Sequence, residues 1–217
     1  MGYINQLSQT LPTYKNDVGE DLYLEDVAEE EISAWTGKKE TDFGMGSFLQ
    51  KYWDVTSKPE YGSDPQVPWS AAFISWILHP YGFKGSAGHS YYTDFVISGE
   101  TKGWKAFSLL NSDKVRLNIG DVLIYDREPY DAASRASHGD VVYKIKDGYA
   151  YLVGGNLSNS LGIIKIPVDK DGFIKDLKSY QVILKNLKAA KVWKKFLYGT
   201  FIVGWYGFLI YNLRIKK

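Results

Sequence analysis

Three side chains are of the types needed for acyl transfer: Ser70, His138 and Asn156. A serine hydroxyl becomes a nucleophile when it is held at the start of an element beside an imidazole base, with a polar group orienting the far ring nitrogen. Ser70 stands at the amino end of the apolar run WSAAFISWIL, residues 69 to 78. In a helix that position puts backbone N–H groups and the positive end of the dipole beside a developing oxyanion. His138 opens a strand, and Asn156 closes the strand that returns beside it, so a turn at Lys146-Asp147-Gly148 brings the two residues to one sheet edge. Each also has a plainer reading. Ser70 suits a helix cap, His138 a surface strand start, and Asn156, after two glycines, a turn of positive φ. His89 is a second candidate base or substrate-binding group, its alternative being a solvated loop residue near Gly85 and Gly88. Trp69, Tyr91 and Tyr92 offer apolar contacts to sugar or peptide. Asp140, two positions beyond His138 and on the same strand face, is a candidate to contact substrate, to orient an imidazole or to mark the strand edge.

These residues need elements to hold them. LYLEDVAEEEISAW, residues 22 to 35, places Leu24, Val27, Ile32 and Trp35 at helical spacing with a glutamate-rich outer face. A shorter helix is expected from Ser47 to Val55, then a long loop with Pro59, Gly62 and Pro65 that ends at Pro68. Pro68 before WSAAFISWIL, and His79-Pro80 after it, punctuate a buried helix of about ten residues. Past residue 115 the texture is that of strands: DVLIY, VVYKI, YAYLV, GIIKIPV and YQVIL. The polar stretch from Asp126 to Ser137 is long enough to overhang a site. Helices first and an antiparallel sheet second predict an α+β domain.

With 217 residues the chain has room for one domain and a modest appendage. It has no cysteine, which excludes disulfides, thiolate metal sites and a cysteine nucleophile. His79, His89 and His138 lack the spacing of a zinc site, so no metal and no cofactor is expected. The net charge of +1 hides about +8 in residues 185 to 217 against −7 before them. An acidic body argues against a nucleic-acid partner. The basic tail flanks an uncharged run, residues 196 to 213 (FLYGTFIVGWYGFLIYNL), which reads either as a short membrane span or as a packed apolar appendage. The amino terminus lacks the basic and apolar regions of a secretory signal. The expected division is a domain over 1–186 and a basic, apolar segment over 187–217.

Several of these segments, in order, resemble one family. Pro68-Trp69-Ser70-Ala71-Ala72-Phe73 is similar to the Pro-Trp-Cys-Ala-Ala-Phe helix of the CHAP and NlpC/P60 superfamily, with Ser70 at the cysteine. It is especially similar to DUF2272, a bacterial family that itself has serine there. Gly120-Asp121-Val122 resembles the Gly-Asp-Leu/Val strand start of these families, and Ser137-His138-Gly139-Asp140-Val141-Val142 resembles their catalytic-histidine strand. Gly154-Gly155-Asn156-Leu157-Ser158 resembles a Gly-Gly-Asn-Gln-Ser loop, and His89-Ser90-Tyr91-Tyr92 the His-Ser-x-Tyr segment of DUF2272. The resemblance implies a papain-like fold, N-terminal helices on a small antiparallel sheet. It also implies hydrolysis of amide bonds in peptidoglycan, with Ser70, His138 and Asn156 as catalytic residues. A serine must lose its proton during attack, where a cysteine reacts as a preformed thiolate. Three accounts therefore stand: a serine hydrolase, a wall-binding or structural envelope or toxin module without catalysis, or an introduced substitution. The expected partners are peptidoglycan or muropeptides, an immunity or delivery protein, and a membrane contacted through residues 196–213. The expected place of action is the cell envelope or periplasm, reached by a dedicated export route or a membrane tail.

Overall fold

The computed structural model describes residues 14–15, 21–109, 115–126, 137–175 and 180–187. Among them are four α-helices and a six-stranded antiparallel sheet, with a two-stranded ribbon of β1 (Tyr14–Lys15) and β2 (Asp21–Leu22) at the start. The polar stretch 127–136 and the apolar run 196–213 lie outside the described residues. Among the described residues no helix is long and apolar enough to cross a membrane.

Helix α1 (Leu24–Trp35) buries Leu24, Ala28, Glu31 and Trp35, one residue per turn along a single stripe. Val27 and Ile32 pack at the margin of that stripe. Glu31 is a carboxylate inside this face, and it is tolerated because Tyr52 and Lys51 of α2 (Gly46–Trp53) both donate to it. Trp35 Nε1 donates to Tyr52 Oη at 2.8 Å, so a polar thread runs through an aromatic cluster. Burial and the neighbouring Glu31 hold the Tyr52 phenol far above its usual range. Helix α3 (Ser70–Leu78) is buried on nearly every side, as its composition requires, and a 3-10 turn over His79–Tyr81 ends it. Helix α4 (His89–Ile97) stands where the sequence suggests a loop. Its buried residues His89, Tyr92, Thr93 and Val96 form a helical stripe, but two of the four are polar and one is a tyrosine, so hydropathy alone conceals it.

The strands are β3 (Trp104–Ser108), β4 (Val122–Asp126), β5 (Ser137–Lys146), β6 (Tyr149–Gly154), β7 (Gly162–Pro167) and β8 (Val182–Asn186). Their order across the sheet is β3-β8-β4-β5-β6-β7. The expected hairpin is present: Asp147 (φ 52°) and Gly148 (φ 77°) join β5 to β6, with Val141 opposite Val153. Strand β3 is an addition to the expected set. It reaches the sheet only by pairing with β8, nearly eighty positions later, which no local pattern signals.

Both faces of the sheet are covered. Val122, Val141, Val153 and Leu184 pack with Phe73, Ile74 and the rest of the helical core. Leu123, Val142, Leu152 and Ile183, the alternate residues of the same strands, form a second core with Leu117, Ile174 and Tyr180. At the turn before β4, Asp121 is buried, and burial pushes its carboxyl up to about 6 against the pull of the Lys185 ammonium bonded to it.

Candidate active site

Pro68 and Trp69 lead into α3, and Trp69 takes the cap position, so Ser70 is the first residue inside the helix. Its side chain does not turn back to cap the backbone. Ser70 Oγ lies 2.7 Å from Nε2 of His89, with both residues buried. The first turn of α3 presents its N–H groups on the same side, since its first internal bond runs only from Phe73 N to Trp69 O, 3.0 Å.

Helix α4 is brought to this point by a polar clamp. Ser75 Oγ donates to Ala71 O at 2.7 Å and accepts from Ser86 N at 2.9 Å, which ties α3 to the loop leading into α4. Gly85 makes the approach feasible, for a Cβ there would stand 2.3 Å from Ser75 Cβ. Phe83 then packs edge-on against Tyr92 and Trp104, ring centroids 5.2 and 4.8 Å away, fixing the angle of α4. One turn along α4 from His89, the Tyr92 hydroxyl is hydrogen-bonded to His89 Nδ1. Burial, then the charge of Asp140, holds the Tyr92 phenol well above its ordinary range, so it remains a neutral hydroxyl. Ser70, His89 and Tyr92 thus form a continuous line of polar contacts.

The expectation that His138 meets Ser70 is not what the structure shows, and strand alternation is the reason. Val141 belongs to the helix-side core and Val142 to the opposite one, so Gly139 faces the helices while His138 and Asp140 face away. A Cβ at Gly139 would lie 2.7 Å from Tyr92 Oη and 2.8 Å from His89 Nδ1. The missing side chain is the space that His89 and Tyr92 occupy. His138 Nε2 instead donates to Asp140 Oδ1 at 3.0 Å, in surroundings that include Tyr125, whose ring centroid is 5.3 Å from that of His138. The two imidazoles still come within 5.5 Å of each other, centroid to centroid.

Asn156 takes the left-handed turn conformation, φ 56°, after β6, the turn role that its place after two glycines suggested. The group on the far nitrogen of His89 is a tyrosine hydroxyl, so the side chains the structure brings together here are Ser70, His89 and Tyr92. Of the candidate substrate contacts, Tyr91 is 58% exposed, whereas Trp69, Tyr92 and Asp140 are fully buried. Trp69 is structural in this arrangement: it stacks on Trp35, centroids 4.7 Å apart, and donates from Nε1 to Glu40 Oε2 at 2.6 Å. Two features went unread in the sequence, the pairing of His89 with Tyr92 and the anchoring of Trp69 by Glu40. The three-residue spacing of His89 and Tyr92 becomes a signal only once a helix is recognised there. Among the described residues no cluster of three or more His, Cys, Asp or Glu side chains is arranged to hold a metal ion.

A family model described as "Uncharacterized protein conserved in bacteria (DUF2272)" matches residues 10–190, most of the chain. The chain belongs to the DUF2272 family. No curated protein and no solved structure matches it. Within this DUF2272 chain the matched region contains all four helices, the whole sheet, and the Ser70, His89 and His138 side chains.

Proposed function

We propose that this DUF2272 chain is a serine hydrolase of amide bonds in bacterial cell-wall peptidoglycan, on the papain-like plan of the CHAP and NlpC/P60 superfamily. The observation that carries the reading is the 2.7 Å contact between Ser70 Oγ, at the first position of a buried helix, and His89 Nε2. A hydroxyl needs its base within this reach to lose a proton as it attacks. The helix-on-sheet arrangement and the order of motifs along the chain support the superfamily link.

In the reaction, Ser70 Oγ attacks the scissile carbonyl carbon and His89 Nε2 takes the hydroxyl proton. The carbonyl oxygen becomes an oxyanion beside the first-turn N–H groups of α3. The C–N bond breaks, the amine leaves with the proton from His89, and an acyl ester remains on Ser70. Water, deprotonated by His89, then attacks that ester and frees Ser70. Tyr92, on Nδ1, holds the imidazole plane through both halves. Action at the cell envelope, export by a dedicated system, an immunity or delivery partner and membrane contact through residues 196–213 belong to the same proposal.

A second reading, a wall-binding module without catalysis, is favoured by one observation: Ser70 is 3% and His89 5% exposed, so substrate must displace whatever covers them. Digestion of purified sacculi separates the two. Wild type is expected to release muropeptide fragments identifiable by mass, and Ser70→Ala to release none while still sedimenting with the wall. Binding by both proteins with no fragments from either selects the second reading.

A further inference from the structure

Behind the Ser70–His89 contact lies a carboxylate that the reaction as written does not use. Asp140 is fully buried, and its Oδ1 is hydrogen-bonded to His138 Nε2 at 3.0 Å. Its second oxygen, Oδ2, has no hydrogen-bond partner among the described residues. A buried carboxylate with half its acceptor capacity unmet carries charge that neighbouring cations can use. His138 is in direct contact, and His89 lies 5.5 Å from His138, ring to ring, on the far side of Gly139. The strand is thinnest at this point because residue 139 has no side chain. The charge of Asp140 is also felt at the Tyr92 hydroxyl, the atom bonded to His89 Nδ1, and at Tyr180.

The hydroxyls that touch His89, Ser70 from α3 and Tyr92 from its own helix, are uncharged, and so are Tyr125 beside His138 and Tyr180 beside Tyr125. The buried carboxylates on the helix side are engaged elsewhere, Glu40 by Trp69 Nε1 and Glu31 by Tyr52 and Lys51. We propose that Asp140 is the shared counter-charge of His89 and His138, a positioning residue whose single negative charge supports an imidazolium at one of them at a time. This deepens the hydrolase reading and rests on it for its purpose. The imidazolium that His89 becomes as Ser70 gives up its proton would be stabilised through the strand, provided His138 stays neutral. The arrangement would give this chain, with a tyrosine on His89 Nδ1, the electrostatic support that a carboxylate supplies in a Ser-His-Asp triad.

The test is histidine titration by NMR in the intact protein, with the His89 signal identified by its loss in His89→Gln. It reads protonation directly, so it gives an answer even if no wall fragment is ever released. Asp140→Asn removes the charge at constant shape and is expected to lower the His89 titration midpoint by about one pH unit, the usual effect of losing a nearby opposite charge. His138→Gln keeps a donor for Asp140 Oδ1 but removes the competing imidazole, and it is expected to raise the same midpoint. Shifts of opposite sign support the shared charge. An unmoved midpoint, or shifts in the same direction, would overturn it. Should Asp140→Asn fail to fold, the direction in His138→Gln decides alone: upward supports, unmoved or downward overturns.

Discussion

Replacing His89 by alanine is expected to lower peptidoglycan hydrolysis by about 10³-fold, within the range for loss of a general base. The same replacement at His138 should cost at least tenfold less. The contrast follows from which face of β5 each group uses. His89 Nε2 is the ring atom on Ser70 Oγ, whereas His138 points into the opposite layer and donates to Asp140. Relative rates of fragment release by the two variants, at matched protein concentration, measure it. If His138→Ala were the more damaging change, the base would sit on the sheet after all, and the described contact would not be the working one.

Trp69→Ala is expected to destabilise the domain by about 3–5 kcal/mol, the cost of emptying a fully buried indole site. Trp69 is 0% exposed, with Trp35 stacked at 4.7 Å and Tyr52 at 5.8 Å. The truncation also strips Glu40 of its partner, leaving a nearly buried carboxylate with less to offset its desolvation. Trp69→Phe retains most of the packing and loses only the Nε1 bond, so its loss should be smaller. Urea unfolding midpoints of the three proteins give the comparison. A Trp69→Ala protein as stable as wild type would mean that the aromatic cluster is not what fixes the start of α3.

The parts of the fold that were legible in the sequence are those in which local pattern and burial agree. α1 and α3 have boundaries within two residues of those expected, because an amphipathic stripe and a proline-bounded apolar run each leave little choice. The β5–β6 hairpin was legible through its Asp-Gly turn. α4 was not, because HSYYTDFVI buries polar residues, and their burial becomes reasonable only when Ser70 and Gly139 are beside them. The orientation of His138 was illegible for a different reason. In SHGDVVYKIK the adjacent Val141 and Val142 are both fully buried, since the sheet has a core on each face, so alternation of hydropathy does not reveal which parity meets the helices. A bulge between Val142 and Lys144 further obscures the register. The place of Ser70 at the start of α3 was legible because it depends only on local sequence. Its partner depends on the packing of two helices against one glycine.

Intact-mass analysis after exposure to an organophosphonate serine probe tests the central claim most directly. The account predicts one adduct, mapped by proteolysis to Ser70 and absent in folded His89→Ala. An unlabelled but folded wild type, or equal labelling of Ser70 with and without His89, would contradict it.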